Sequence, residues 1–262
     1  MPRSKTLSLP VIDTFIIDLD GTTYLGDRLI PGAASFFRRL RAAGKQYGFY
    51  TNNSSKSGEA YRRKLTRLGV PVTREQIITS TDATIAWLNG RRNGQRIYPV
   101  GTKSFERELA RAGFNLTDQR VDSVVVGFDC TLTYAKVETA CRLIRRGARF
   151  IATHPDLLCP TPAGPVPDCG AITAMLTAAT GVKPIVCGKP SRSMLRTAMQ
   201  RLGTTRRRTA IIGDRLYTDI RMGADGGVTT ILVLTGEATR AAARTSPYRP
   251  DHIVDRLADI RF

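Results

Sequence analysis

Two aspartates, Asp18 and Asp20, stand two residues apart and are followed at once by Gly21 and Thr22. Carboxylates this close repel each other, and a cation relieves the repulsion. A hard divalent ion such as Mg²⁺, which takes oxygen ligands in octahedral geometry, suits such a loop, and the glycine lets the backbone approach a ligand closely. A plain Asp-Gly turn after a strand has the same residues. The run Thr51-Asn52-Asn53-Ser54-Ser55 offers hydroxyls and backbone N–H groups that can hold phosphate oxygens, although any helix N-cap cluster has this composition. Lys189, fixed between Gly188 and Pro190, is either a solvated turn lysine or a rigidly held ammonium that neutralises a phosphate or a carboxylate. Gly213-Asp214, with Asp219 five residues on, supplies two more acids that would complete a magnesium site beside the first pair.

These groups need elements that bring them together. Thr14 to Ile17 is a short apolar run and reads as a buried strand that stops at Asp18. Ala34, Phe37, Leu40 and Ala43 recur at helical spacing, and Gly44 ends that helix. A second strand over 46–50 runs into Thr51, a helix follows over 61–70, and a helix over 193–203 starts directly behind Lys189. Residues 209–214 read as a strand ending in acid and 229–234 as another strand. Strand, polar loop and helix in alternation predict an α/β fold with a Rossmann-like parallel sheet, whose ligands sit at the carboxyl ends of the strands. Between 79 and 186 the theme recurs, with strands over 96–101, 123–129 and 149–156 and helices over 104–113, 133–147 and 169–181. This predicts one domain from 1–78 plus 187–262 and a second, inserted α/β domain over 79–186; one continuous sheet is the competing arrangement. The closing stretch 239–260 reads as a helix, a Pro-marked loop and a last helix.

Composition bounds the function classes. A chain of 262 residues with 42% hydrophobic and 24% charged residues is globular, not disordered or collagenous. Its net charge of +18, carried by 32 Arg and 8 Lys against 22 acids, brings anionic partners into consideration. The basic residues are spread over helix faces without interleaved aromatics or a recognisable binding module, so nucleic acid is not expected as a partner. A positive field of this kind also steers anionic substrates. Five cysteines without a C-x-x-C or zinc-finger spacing fit a reduced, cytoplasmic protein. Pro10 and Asp13 interrupt the first apolar stretch, which fails as a signal segment. No run approaches the about 18 apolar residues of a membrane span, so no membrane association is expected.

In combination, D-x-D-G-T at Asp18, T-N-N-S at Thr51, G-K-P at Gly188 and G-D-x-x-x-x-D at Gly213 resemble the four motifs of the haloacid dehalogenase superfamily. The TNNSS, GKP and GDRLYTDI forms are similar to its NagD-type branch, which carries a large α/β cap between the second and third motifs. The resemblance implies hydrolysis of small phosphate monoesters, such as sugar phosphates or nucleoside monophosphates, by a Mg²⁺-dependent aspartyl-phosphate mechanism. Under it Asp18 is the nucleophile, Asp20 the general acid and base, and Lys189 the charge-neutralising ammonium. Thr51, Asn52 and Asn53 hold the phosphoryl group. Asp18, Asp20 and Asp214 hold Mg²⁺, Asp20 through its carbonyl, and Asp219 supports the metal or the lysine. The cap residues His154, Asp156 and Asp168 face the substrate, and His154 stands where relatives often carry asparagine. A homodimer is an expectation from the same resemblance, and a phosphotransferase of this fold and a nucleic-acid-binding protein are the alternatives.

Overall fold

The computed structural model describes residues 7–9, 11–91, 96–161 and 163–262. Pro10, used above against a signal segment, lies outside them. The described chain divides into two compact units. The first takes the residues up to Thr51 with Tyr61–Ile78 and Leu195–Phe262, and the second takes Asn52–Ala60 and Thr79–Met194.

The first unit is built on a six-stranded sheet in the order His252–Val254, Thr229–Val233, Thr209–Gly213, Thr14–Asp18, Gln46–Thr51, Ile77–Thr79. The pairings from His252–Val254 through Gln46–Thr51 are parallel. Every residue of Thr14–Asp18 is buried, as expected of a strand covered on both faces. Ile17 lies opposite Ile212 on one side and Phe49 on the other, and Asp18 lies opposite Tyr50. The carboxyl ends of these three strands are therefore level, and the polar residues that follow them leave the sheet at one edge.

The first expected helix runs over Ala33–Ala42 and buries Phe36, Phe37 and Leu40. Phe37 packs on Tyr47 and Phe49 of the sheet with ring centroids 5.3 and 5.4 Å apart. Burying a side chain of this size contributes about 1.5–3 kcal/mol, and truncating Phe37 to alanine would cost about 3–5 kcal/mol. The helix ends at Gly44, whose left-handed φ of 64° lets Lys45 donate to Leu40 O at 3.0 Å.

Two features depart from the sequence reading. The strand Ile77–Thr79 and the helix Ser80–Asn89 were not foreseen. Yet the helix carries a legible start: Thr79 N donates to Asp82 Oδ2 at 2.8 Å and Asp82 N to Thr79 Oγ1 at 3.1 Å, a reciprocal cap. The closing segment corrects the expectation of a last helix. After the helix Arg240–Thr245, residues His252–Val254 form the edge strand of the sheet, and a single 3₁₀ turn at Leu257–Asp259 leads into the short strand Ile260–Arg261, which pairs in parallel with Leu7–Ser8. β-Branched Ile253 and Val254 fit a pleated edge better than a helix. Asp251 anchors the strand's start by accepting from Thr230 N and Thr230 Oγ1, both at 2.8 Å.

The second unit has its own five-stranded parallel sheet, in the order Ile185–Val186, Arg149–Ala152, Ser123–Val126, Arg96–Val100, Asn115–Leu116. Successive side chains of Ser123–Val126 point to opposite faces. Val124 and Val126 join Leu143, Ile144 and Leu176 in one core, while Val125 joins Phe105, Leu109 and Leu88 in another. The helices Lys103–Arg111, Tyr134–Arg145 and Cys169–Thr180 lie where the periodicity predicts them, displaced by one or two residues at their ends.

Candidate active site

In the first unit the parallel register delivers Asp18 and Asp214 to neighbouring strand ends, since Ile17 pairs with Ile212. Asp219 comes back over the same edge on the π-helical turn Leu216–Ile220. Asp18, Asp214 and Asp219 are all buried and each offers a carboxylate oxygen within 4.8 Å of the others. Three carboxylates so placed repel strongly in a low-dielectric setting, and all the donors are hard oxygens. The set fits Mg²⁺ by its chemistry.

The carboxylates of Asp214 and Asp219 are held by neutral donors. Thr22 Oγ1 donates to Asp214 Oδ1 at 3.0 Å and Glu237 N to Asp214 Oδ2 at 2.8 Å. Two glycines make room for this carboxylate: a Cβ on Gly21 would lie 2.6 Å from Asp214 Oδ2, and one on Gly236 would also overlap it. Asp219 accepts from Tyr50 Oη at 2.8 Å and from Arg215 N at 3.1 Å. Burial, with Asp219 beside it, pushes the Tyr50 phenol far above its ordinary range, so it remains a donor. Thr23 Oγ1 donates to the Asp18 carbonyl at 2.7 Å.

Asp20 is more open. Its Oδ2 accepts from Tyr24 Oη at 3.3 Å, and burial followed by the charge of Asp20 pushes the Tyr24 phenol upward as well. Gly21 takes the left-handed conformation, φ 85°, and donates to Tyr24 O at 2.9 Å, which folds the loop back on itself. Thr51 is buried at the end of Gln46–Thr51.

The remaining expected residues belong to the second unit. Asn52 spends its whole amide on neighbours: Oδ1 accepts from Lys189 N at 2.8 Å, and Nδ2 donates to Lys189 O and to Asp156 Oδ2, both at 3.1 Å. Asn53 Oδ1 accepts from Ser55 N and Ser55 Oγ at 3.0 and 2.7 Å, closing a local turn. Lys189 is buried and precedes a cis proline. His154 lies between Asp156 and Asp168, and all three are buried. Asp168 also caps the helix Cys169–Thr180, accepting from Cys169 N at 2.6 Å.

The structure thus gathers Asp18, Asp214 and Asp219 in one cluster, and Asn52, Asp156 and Lys189 in another. Thr22 and Tyr50 were missed. The D-x-D-G-T run contains Thr22, and its hydroxyl was the available signal. Tyr50 reads in sequence as one more core aromatic.

The profile of the haloacid dehalogenase-like hydrolases matches residues 15–115, and a second profile, described as HAD-hydrolase-like, matches residues 186–260. The chain is 37% identical to the 5'-nucleotidase YutF of Bacillus subtilis over 245 residues, 94% of this chain and 96% of that one. It superposes on the 4-nitrophenylphosphatase of Thermotoga maritima with a TM-score of 0.91 at 40% identity, covering 95% of this chain and 96% of the other. The glycerol phosphate phosphatase of Mycobacterium tuberculosis, solved in complex with magnesium, superposes with a TM-score of 0.89 at 32% identity, covering 95% and 76%. The parallel-sheet α/β fold and its acid-lined strand ends are those of a phosphatase acting on phosphate esters. The chain belongs to the haloacid dehalogenase-like hydrolases, among their NagD-like members.

Proposed function

We propose that this protein is a magnesium-dependent phosphatase of small phosphate monoesters that works through a covalent phosphoryl group on Asp18. The observation that carries the reading is the buried cluster of Asp18, Asp214 and Asp219 at the carboxyl edge of a parallel sheet. Asp18, Asp214 and the Asp20 carbonyl would hold Mg²⁺, whose charge would offset that of the phosphate and the carboxylates.

The residues divide the remaining work. The Asp18 carboxylate attacks phosphorus, the bond from phosphorus to the ester oxygen breaks, and Asp20 gives its proton to the leaving alcohol. Asp20, now a carboxylate, takes a proton from water as that water attacks phosphorus, which releases phosphate and restores Asp18. Thr51 and the backbone around Asn52 and Asn53 hold phosphoryl oxygens, and Lys189 offsets their charge. Asp219, with both oxygens taking hydrogen bonds, positions the other acids.

Residues 1–78 plus 187–262 form the catalytic core in this reading, and 79–186 the cap that selects the leaving group. The relatives are named for a nucleotide, a nitrophenyl ester and a glycerol phosphate, which supports a shared phosphoryl chemistry with varied leaving groups. The +18 charge draws anionic substrates rather than nucleic acid. A cytoplasmic location is supported by five free cysteines; among the described residues no helix is long and apolar enough to cross a membrane. A homodimer completes the reading.

The test is phosphate release from p-nitrophenyl phosphate and a panel of phosphorylated metabolites, with Mg²⁺ or EDTA, for wild type and Asp18→Asn. Turnover that needs Mg²⁺ and falls to background in the variant supports the mechanism. A well-folded wild type that releases no phosphate from any of them sinks it.

A further inference from the structure

His154 has no exposed surface and no role in the chemistry above. Its two ring nitrogens face two different acids: Nδ1 lies 3.7 Å from Asp156 Oδ2 and Nε2 lies 3.4 Å from Asp168 Oδ1. These are ion-pair separations on both sides of one ring. Two buried carboxylates around a single neutral imidazole would leave a net double negative charge in the interior, whereas an imidazolium between them removes half of it.

The pair leads directly to the segment that carries Lys189. Asp156 Oδ2 accepts from Asn52 Nδ2, and the same amide brackets Lys189, accepting from its N–H and donating to its carbonyl. An Asn amide turned over by half a rotation would aim its oxygen at both the Asp156 carboxylate and the Lys189 carbonyl, two acceptors. An ionised Asp156 therefore selects the one amide orientation that clamps Lys189. The approach is close because Gly188 has no side chain: a Cβ there would sit 2.7 Å from Asn52 Oδ1. Gly188 N also donates to Thr153 O at 2.6 Å, next to His154 in the chain.

We propose that His154 is a positioning residue: as an imidazolium between Asp156 and Asp168 it holds the Asp156–Asn52 clamp that places Lys189. The proposal rests on the reading of Lys189 as the charge-neutralising ammonium. Within the second unit the charged and titratable groups that face the ring include Asp156 on its own loop, Asp168 and Cys169 at the head of the helix Cys169–Thr180, with Lys189 linked through Asn52. Cys169, whose thiol burial pushes up to about 12, stays neutral beside it. A fully enclosed ring engaged in this way holds neighbours in place rather than touching a leaving group.

The chain contains only two histidines, His154 and His252. Ring ¹⁵N–¹H correlation spectra of the labelled full-length protein therefore contain two ring systems, and His252→Asn leaves that of His154 alone. At pH 7.5, where an ordinary imidazole is mostly neutral, protons on both His154 nitrogens are expected; a neutral tautomer overturns the proposal. Phosphate release is then compared for wild type and His154→Gln, with melting curves confirming that the variant is folded. A fall in kcat of about 10- to 100-fold is expected, the effect of a misplaced catalytic group, with an unchanged Mg²⁺ requirement. Wild-type kcat in His154→Gln, alongside a protonated ring in wild type, also overturns it. If His154→Gln does not fold, Asp156→Asn takes its place, with the same fall in kcat expected and wild-type kcat again overturning the clamp. A wild type that releases no phosphate defeats the phosphatase reading instead, and the positioning role falls with it; an active wild type with an unaffected variant defeats this proposal alone.

Discussion

Tyr50 donates its phenol to Asp219 Oδ1 at 2.8 Å, joining residues 169 apart in the chain. The bond passes over the end of the central strand, because Tyr50 pairs with Asp18 and Asp18 lies between the strands that lead to Tyr50 and to Asp219. Asp219 is fully buried, so its place beside Asp18 depends on donors of this kind.

Removing the phenol tests that dependence. Tyr50→Phe keeps the ring and its packing but takes one donor from a buried carboxylate, which costs about 1–3 kcal/mol. Chemical denaturation should show that loss, and phosphate release should fall without vanishing. Unchanged stability would mean that Asp219 replaces the bond with no penalty.

Gly21 is a steric test of the same site. Gly21→Ala places a methyl 2.6 Å from Asp214 Oδ2 at a backbone φ of 85°, where an L side chain is strained. The Asp214 carboxylate must shift, and the Mg²⁺ concentration for half-maximal activity should rise about 10-fold or more. A Mg²⁺ titration of activity checks this; an unshifted midpoint would remove Asp214 from the metal set.

The buried thiols set an alkaline limit. Burial pushes Cys169 and Cys187 from 9.0 up to about 12. A folded-state value above the unfolded one means the contribution is complete below pH 9 and is lost as pH rises from 9 toward 12. Each thiol contributes a slope of about 1.4 kcal/mol per pH unit in that window. Melting temperature measured from pH 8 to 11 should fall, and fall less steeply in Cys187→Ala. Equal slopes would show that Cys187 does not contribute and that Cys169 and the tyrosines Tyr24 and Tyr50, also pushed upward by burial, carry the effect.

The edge strand offers a stability test away from the site. Asp251→Ala removes the acceptor for Thr230 N and Thr230 Oγ1, groups on a residue only 1% exposed. A loss of about 1–2 kcal/mol in denaturation is expected, with kcat unchanged because the residue lies at the far, amino-terminal start of its strand. A drop in kcat would show that the edge communicates with the acids.

Much of this was legible beforehand because it is local. A run such as Thr14–Asp18 declares a buried strand by its own residues, and the spacing of Phe37 and Leu40 declares a helix face, although Ala34 and Ala43, expected with them, are exposed. The polar groups Asp18, Thr51 and Asp214 stand at strand ends in the sequence, so a parallel sheet puts them on one edge without further information. Where local signals were weak or mixed the reading failed. Residues 252–254 read as part of a helix until Thr229–Val233 offered a partner edge, and pairing energy between distant segments has no trace in either segment alone.

The sequence by itself determined the acids, their order along the chain and the strands that carry them, since residue type and short-range periodicity suffice for these. Only the tertiary structure decided that Thr22 and Tyr50 are the donors to Asp214 and Asp219, and that Asn52 is a clamp on Lys189. Those facts depend on which side chains meet across as many as 192 residues. Such meetings are settled by strand register, by space left at Gly21, Gly188 and Gly236, and by the need of each buried polar atom for a partner.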